Sequence, residues 1–459
     1  MDAIGETVEN VGLAQEIQKG LMKSMQKPPA FALWKEEIDA KKAELAGMSM
    51  ESIEAMRLGK NIVAEWKQNG GEGEFKESSA LEVLAKYLVA GKKSYAEPVN
   101  HKLFEEMRPL GKGAFGAVFL TFKKETGAPF AVKKMVKTIA KQNKMLRDVL
   151  VEREVLSKIR SPFCVNLNYA YQDDVTIYLV LTLMPGGDLS FVLHQRYPEK
   201  KDGKKGEFEK LPDGVVKFYG ASMACGLQAI HDAGYVYRDL KPQNVLLDAE
   251  GFVRISDMGL THDISKGPIS QCSGTRGYWS PETIKKEPYT TQPDWWSLGV
   301  TMFVLYSDRT PFHGKDDESK DAATCSGEID YKHGEPEDLQ KVIGDLCTID
   351  ITKRLGCNGG LEEVKKHPYF AGFDWDALIA GTLEPQIKPN VNDINAPGKN
   401  EIAAFKKPKD VEWTEEDQAK FKEWDYMDPE LWYDEAMFRI KKYKELSGGG
   451  GGGGCCTIA

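Results

Sequence analysis

Tyr237-Arg-Asp-Leu-Lys-Pro-Gln-Asn244 is the stretch of sequence that decides the fold. It carries three polar side chains, Asp239, Lys241 and Asn244, at a spacing that no regular helix or strand would aim at one point. In a loop this spacing suits phosphoryl transfer: Asp239 can orient an attacking hydroxyl, Lys241 can stabilise the moving phosphoryl group, and Asn244 can hold magnesium. Taken alone, the stretch can also be a polar turn before the apolar run at 245–247. Other motifs in the sequence are needed to choose between a catalytic loop and a polar turn.

A glycine-rich segment about 130 residues earlier supports the phosphoryl-transfer reading. Leu110-Gly-Lys-Gly-Ala-Phe-Gly-Ala-Val118 lies between two strand-like runs, and its glycines allow the backbone to approach phosphate oxygens. A lone motif of this kind could instead mark a dinucleotide fold, but there a long helix follows the glycines. Here a second strand follows, then a turn at 125–127 and a third strand at 129–134. Lys133 on that third strand is expected to contact the α and β phosphates.

The next segment, residues 138–158, has the pattern of one continuous helix. It carries two glutamates, and the carboxylate of one of them is needed to fix Lys133 in place. The spacing favours Glu152, which lies shortly before an apolar Val155-Leu156 pair, and Glu154 is the alternative.

Two further segments complete the expected nucleotide site. The apolar strand at 177–183 and the turn Met184-Pro-Gly-Gly-Asp188 are suited to an adenine ring, with Asp188 near the ribose. The turn Ile255-Ser-Asp-Met-Gly259 supplies the carboxylate of Asp257 as the second metal ligand, beside Asn244.

Beyond the site, two acidic residues are expected to have structural roles. Glu282 is expected to form an ion pair with a buried cation, and Arg354 is the candidate for that cation. Asp294 opens an apolar helix, where an N-terminal aspartate is as readily a helix cap as a brace for another segment.

Length and composition limit the classes of protein that this chain can be. Its 459 residues, 41% of them hydrophobic, are enough for two or three domains with real cores. The net charge of −9 disfavours a dedicated nucleic-acid binder, so no nucleic-acid partner is expected. No apolar run approaches a membrane span, and six cysteines scattered without metal spacing fit a reducing, intracellular compartment.

The two ends of the chain differ from its middle. Residues 1–20 form a short amphipathic segment, and residues 21–98 read as a small helical unit with no cluster of catalytic side chains. The aromatic, acidic tail within 371–447 is expected to pack back on the body of the protein rather than to serve a partner. At 448–459, a seven-glycine linker precedes Cys455-Cys-Thr-Ile-Ala459, a prenylation signal on Cys456 with Cys455 as a site for a second acyl chain.

Together, these motifs over roughly 270 residues resemble the protein kinase fold, in the same order as in that family. The resemblance implies an α+β, bilobal kinase fold at 101–370, flanked by the small N-terminal helical unit and by a C-terminal tail with a helix. It also implies ATP and Mg²⁺ as cofactors, with Asn244 and Asp257 as metal ligands and Asp239 as catalytic base beside Lys241. Lys133 and Glu152 would form an ion pair between strand and helix. The expected nucleotide-binding residues are Leu110, Gly111, Lys112, Gly113, Ala114, Phe115, Gly116, Val118, Ala131, Lys133, Thr182, Met184, Asp188 and Leu246.

Finer details are similar to the AGC group of serine/threonine kinases and, within it, to the G protein-coupled receptor kinases. They include Tyr237 where most kinases have histidine, Gly274-Thr-Arg-Gly-Tyr278, Arg354-Leu-Gly-Cys357 and the Met1-Asp2 start. The resemblance implies an activated receptor as substrate, with residues 1–20 as the receptor-docking segment and the lipid-anchored protein at the cytoplasmic face of a membrane. The helical unit resembles a truncated form of that family's regulator-of-G-protein-signalling-like domain, and because it is shorter than the complete domain, a G protein subunit as partner stays an open alternative.

Three positions bear on regulation and substrate choice. Gln271 stands where the cyclic-AMP-dependent kinase has a phosphothreonine, which favours another ordering event such as receptor docking. That relative reads arginine in its substrates with acids at the places of Gln243 and Val304, so acidic or neutral target sequences fit better here. The alternatives are an AGC kinase of soluble substrates, and a scaffold in which binding of a receptor or G protein outweighs catalysis.

Overall fold

The computed structural model describes residues 99–112, 116–124, 127–197, 207–389, 411–428 and 431. The predicted docking segment at 1–20, the helical unit at 21–98 and the linker with Cys455 and Cys456 lie outside these described residues. So do Gly113, Ala114 and Phe115 of the glycine-rich segment.

The described residues from Phe104 to Thr182 contain an antiparallel sheet, the core of the small lobe. Its strands are β1 (Phe104–Lys112), β2 (Gly116–Lys123), β3 (Pro129–Val136), β4 (Leu167–Gln172) and β5 (Thr176–Thr182). The spatial order is β1-β2-β3-β5-β4, followed by one further strand from the C-terminal tail. The three strands expected around the glycine-rich segment and the turn are confirmed. Residues 125 and 126 of the predicted turn lie outside the described residues, as does the middle of the glycine-rich segment.

Two helices, α1 (Lys137–Gln142) and α2 (Leu146–Lys158), connect β3 to β4. The prediction of one helix over 138–158 is therefore wrong. The chain breaks because Lys144 adopts a left-handed backbone conformation, with φ of 59°, and because the side chain of Asn143 donates to the carbonyl of Ile139 at 2.9 Å.

The large lobe is mostly helical. Its long helices are α4 (Asp213–Asp232) and α6 (Gln292–Ser307), with α3 (Leu189–His194) before them and α5 (Pro281–Lys285) between them. They are followed by α7 (Asp317–Ser326), α8 (Glu337–Leu346), α9 (Leu361–Lys365) and α10 (Trp375–Ile379). Helix α6 is buried from Pro293 to Ser307, as expected of a helix that is apolar on all sides and lies at the centre of a domain. No helix among the described residues has the length and apolarity needed to cross a membrane.

Two small antiparallel sheets of two strands each lie on the helical lobe and carry the polar loop around Asp239. Strand β6 (Tyr235–Val236) pairs with β9 (His262–Asp263), and β7 (Val245–Leu247) pairs with β8 (Val253–Ile255). The loop at 237–244 therefore runs from one of these sheets to the other. This mixed architecture agrees with the predicted α+β, bilobal fold.

A buried ion pair anchors the chain just after the loop that faces Asp239. The guanidinium of Arg354 is fully buried and donates to both oxygens of Glu282, at 2.6 and 2.9 Å. The pairing expected from the sequence is confirmed. It ties α5 to the segment between α8 and α9.

The later described part of the C-terminal tail, residues 411–428 and 431, packs on the small lobe. It forms α11 (Glu415–Ala419) and β10 (Tyr426–Met427), and β10 pairs antiparallel with β4 as the sixth strand. The indole nitrogen of Trp424 donates to the carbonyl of Tyr171 at 3.0 Å, and Arg160 pairs with Asp428. For these residues, the prediction of a tail that packs on its own chain is confirmed.

Candidate active site

The loop at 237–244 is held in an irregular shape by one buried carboxylate. Asp294, near the start of α6, accepts from the backbone N–H of Tyr237 at 2.8 Å and from that of Arg238 at 2.7 Å. Its Oδ2 also lies 2.7 Å from Nε2 of His231. Arg238 has a left-handed backbone, with φ of 74°, which these hydrogen bonds stabilise. Asp294 is therefore a brace, and of the two roles that the sequence left open the helix cap is excluded.

Asp239 lies at the centre of a compact polar cluster. Its Oδ2 accepts from Nζ of Lys241 at 2.7 Å and from the side-chain amide of Asn244 at 2.8 Å. Its Oδ1 accepts from the hydroxyl of Thr275 at 2.7 Å, and Lys241 donates to the same hydroxyl at 2.7 Å. The structure thus brings the three side chains of the opening motif to one point, although they lie on an irregular loop.

Thr275 was not identified from the sequence. It reaches Asp239 because Gly274 beside it has φ of 89°, and a Cβ on Gly274 would overlap the carbonyl oxygen of Arg238. The sequence signal that could have identified Thr275 is the Gly274-Thr275 dipeptide, which lies in the segment after the turn at 255–259. Its contact with Asp239 depends on tertiary folding.

Lys133 on β3 and Glu152 on α2 form an ion pair, with Nζ at 2.6 and 2.8 Å from the two carboxylate oxygens. Nζ is also 3.8 Å from Oδ1 of Asp257. Burial opposes the charge of Lys133, but the two carboxylates outweigh it and raise the pKa of the ammonium group. Lys133 is therefore held protonated, with one carboxylate fixing it and a second facing it.

The alternative partner of Lys133, Glu154, is used elsewhere. Its Oε1 accepts from Lys158 at 2.7 Å and from the hydroxyl of Tyr235 at 3.0 Å. These contacts hold the end of α2 against β6, away from the Lys133 pair. Of the two carboxylates that the sequence offered, Glu152 is the one in the site.

Asp257 and Asn244 offer side-chain oxygens close to each other, as a magnesium site requires, because the N–H of Ser256, next to Asp257, donates to the backbone carbonyl of Asn244 at 2.8 Å. Asp257 has a left-handed backbone, with φ of 55°, and its side chain is 56% exposed. The amide nitrogen of Asn244 donates to the backbone carbonyl and to Oδ2 of Asp239, which leaves its amide oxygen for a cation. Magnesium prefers such hard oxygen ligands and usually binds one or two from the protein together with phosphates and water. The residues therefore fit the ion. Among the described residues no three His, Cys, Asp or Glu side chains form a site that could hold a metal without a nucleotide.

The expected nucleotide-binding residues lie on adjacent strands. Val118 on β2 is the register partner of Lys133, and Ala131 lies two residues before Lys133 on the same side of β3. Leu110 and Lys112 lie on β1, Thr182 ends β5, and Met184 is buried two residues later. Leu246 on β7 forms an isolated bridge with Asp188. The segment that follows β5 therefore meets the strand that follows the Asp239 loop.

Two of these residues have structural roles as well. A Cβ on Gly116 would overlap the carbonyl oxygen of Lys134, so that glycine is required by the approach of β2 to β3, whereas Gly111 has open space around it. Asp188 accepts from the N–H of Phe191 at 2.8 Å and caps α3, and burial raises the pKa of its carboxyl.

The two positions at which the cyclic-AMP-dependent kinase has substrate-reading acids are uncharged here. Val304 is buried in α6, and Gln243 is within 3.5 Å of the hydroxyl of Ser190. Gln271 is exposed, and its carbonyl accepts from the hydroxyl of Tyr289 at 2.6 Å. The guanidinium of Arg238 donates to the carbonyl of Leu260 at 2.6 Å.

Comparison with known proteins agrees with this geometry. Residues 104–370 match the protein kinase domain family. The chain is 35% identical over 363 residues to G protein-coupled receptor kinase 2 of Drosophila melanogaster, covering 77% of this chain and 49% of the relative. It is 34% identical over 362 residues to rhodopsin kinase grk7a of Danio rerio (76% and 63%) and 34% identical over 393 residues to rhodopsin kinase GRK7 of Homo sapiens (83% and 68%). The matched region thus spans about half to two thirds of the length of these relatives.

Proposed function

This chain belongs to the protein kinase family and, within it, to the G protein-coupled receptor kinases, and from that membership we propose that it transfers the terminal phosphoryl group of ATP to serine or threonine hydroxyls of an activated receptor. The observation that carries the proposal is the cluster around Asp239, together with the Lys133–Glu152 ion pair that Asp257 faces. A polar turn needs neither the shared contacts with Thr275 nor a second carboxylate facing the lysine.

In the proposed reaction Asp239 accepts the proton of the attacking hydroxyl. Lys241 lies 2.7 Å from Asp239 and is positioned to donate to the phosphoryl oxygens as negative charge moves onto them. Lys133, fixed by Glu152, orients the α and β phosphates. Asn244 and Asp257 would hold Mg²⁺, which neutralises phosphate charge when it is bound.

A test of this chemistry uses the purified protein with ATP, Mg²⁺ and a protein substrate, and identifies the modified residues by mass spectrometry. Asp239→Asn keeps the shape of the side chain and removes the base, so transfer should fall by about 10²- to 10⁴-fold. Asp232→Asn, at an exposed aspartate that accepts from Gln228, is the matched control and should remain active. Equal activity of the Asp239→Asn variant and wild type would overturn the mechanism.

We further propose that the substrate is reached at a membrane. With Ala459 as carboxyl terminus, Cys456 is the site of a prenyl group and Cys455 of an acyl group. One lipid gives only marginal membrane affinity, so both are needed for stable anchoring. Intact-mass measurement of protein from cells should detect the lipids. Cys456→Ser should release the protein from the membrane fraction, and an unmodified mass for wild type would exclude the anchor.

We also propose that residues 1–20 dock on the activated receptor. Deletion of residues 2–11 should reduce phosphorylation of the receptor far more than phosphorylation of a peptide. Equal losses on both substrates would contradict a docking role and would favour a kinase of soluble substrates.

A further inference from the structure

Arg276 lies one residue after the threonine that contacts the catalytic aspartate. The hydroxyl of Thr275 donates to Asp239 at 2.7 Å, so a substrate hydroxyl at Asp239 would bring its neighbouring residues close to position 276. Gly274 and Gly277, with φ of 89° and 96°, turn the chain on both sides of this pair. The guanidinium carbon of Arg276 lies 5.2 Å from the centroid of the Trp279 ring, which orients the side chain.

Two carboxylates on α7 hold the guanidinium from the other side. Nη1 of Arg276 is 2.5 Å from Asp317, and Nη2 is 3.4 Å from Asp321. The pair is at the surface, since Arg276 is 39% and Asp317 63% exposed, and Lys320 competes for Asp317 at 4.0 Å. Ion pairs as exposed as this contribute little net stabilisation. Arg276 is therefore pre-positioned but can exchange Asp317 for another anion at small cost.

We propose that Arg276 is a specificity-determining residue that recognises a negatively charged side chain directly beside the target serine or threonine. The inference rests on the proposed function, and it adds the class of substrate: sequences with an acidic or an already phosphorylated neighbour. Arginine suits this task because its planar guanidinium binds carboxylate and phosphate oxygens through two parallel hydrogen bonds. When substrate is bound, its anionic side chain takes the place of Asp317 on the guanidinium of Arg276, while Asp321 keeps its contact with the other edge of the guanidinium.

The competing explanation is that Arg276 only ties its loop to α7. The two explanations predict different effects of Asp317→Asn. If Arg276 is only a tie, removing this partner should mimic loss of the arginine and change the use of charged and Gln peptides in parallel, so that their ratio stays the same. If Arg276 recognises the substrate anion, removing the competing carboxylate should increase the preference for charged peptides.

The experiment measures kcat/KM at saturating ATP and Mg²⁺ for a set of peptides that share one target serine. Glu, Gln or phosphoserine is placed directly before or directly after that serine, and Glu against phosphoserine distinguishes the two sources of charge. Wild type should prefer a charged over a Gln neighbour by about tenfold on at least one side, the contribution of one charge-assisted contact. Arg276→Gln should lower this ratio to about one while it changes use of the Gln peptide by less than about threefold. Asp317→Asn should raise the ratio above that of wild type.

Lys332→Gln is the control, since it removes a cation from the exposed pair with Asp330 and should leave the ratio unchanged. If Arg276→Gln keeps the wild-type ratio of kcat/KM for charged over Gln peptides, the inference is overturned. Parallel loss of charged and Gln peptides in both Arg276→Gln and Asp317→Asn would also overturn it and would identify a tie. Failure of wild type to phosphorylate any peptide or receptor would instead overturn the proposed function and the inference with it.

Discussion

Replacement of Glu282 by glutamine tests how strongly a buried ion pair stabilises the loop opposite Asp239. In the folded protein both oxygens of Glu282 accept from Arg354, which is fully buried. Arg354 also donates to the carbonyls of Thr348 at 2.8 Å and Gln292 at 3.1 Å. Glu282→Gln therefore removes the countercharge but leaves several hydrogen-bond acceptors.

The expected cost follows from that geometry. Removal of one partner of a buried ion pair destabilises a protein by about 3–5 kcal/mol, because the remaining charge stays buried. The retained carbonyl acceptors place Glu282→Gln at the lower end, about 3 kcal/mol. Each kcal/mol lowers Tm by about 2–4 °C in a domain of this size, so Tm should fall by about 6–12 °C.

An exposed pair of the same length provides the control. Glu362 and Lys365 are also 2.6 Å apart, but the Glu362 side chain is 68% exposed, so Glu362→Gln should leave Tm within about 2 °C of wild type. Thermal unfolding of the three proteins, followed by circular dichroism, gives the comparison. Equal shifts for the two variants, or a shift below about 2 °C for Glu282→Gln, would refute the argument that burial determines the strength of this pair.

Three further variants test other parts of the structure. Glu152→Gln should lower phosphate transfer at least about 100-fold because it releases Lys133. Glu154→Gln on the same helix should keep phosphate transfer within about threefold of wild type. Similar losses in the two variants would contradict the assignment of the pair. Trp424→Ala removes a buried indole from the docked tail, so amides of the tail should exchange hydrogen faster and transfer should fall, and unchanged exchange would count against docking. Burial, together with nearby positive charge, lowers the pKa of His262, so the unfolded state binds more protons than the folded state below about pH 6.5. Tm should therefore fall more steeply from pH 7.5 to 5.5 in wild type than in His262→Asn. Identical slopes would exclude this linkage.

Local sequence patterns predicted much of the fold and of the site. The glycine-rich segment, the strand with Lys133 and the spacing of Asp239, Lys241 and Asn244 each have a local signature. The partner of Arg354 was predictable because a buried cation and a buried anion each require an opposite charge. The break in the helix before Glu152 was missed, since nothing in the periodicity reveals a left-handed lysine at 144.

Contacts between distant parts of the chain were harder to predict. The hydroxyl of Thr275 meets Asp239 only through a turn at Gly274 and the packing of two loops. The brace from Asp294 uses side-chain oxygens that a helix cap would also use, so residue type alone could not separate the two roles. Strand β10 is two residues long, and its pairing with β4 depends on the docking of the tail.

The most direct test of the central claim is transfer of radiolabelled phosphate from ATP to a candidate receptor in membranes, with and without agonist. Wild type and Asp239→Asn are compared, with an arginine-rich peptide as a second substrate. We predict receptor labelling that rises with agonist, weak labelling of the basic peptide, and loss of both with Asp239→Asn. Strong labelling of the basic peptide that is indifferent to receptor state would contradict the receptor-kinase account.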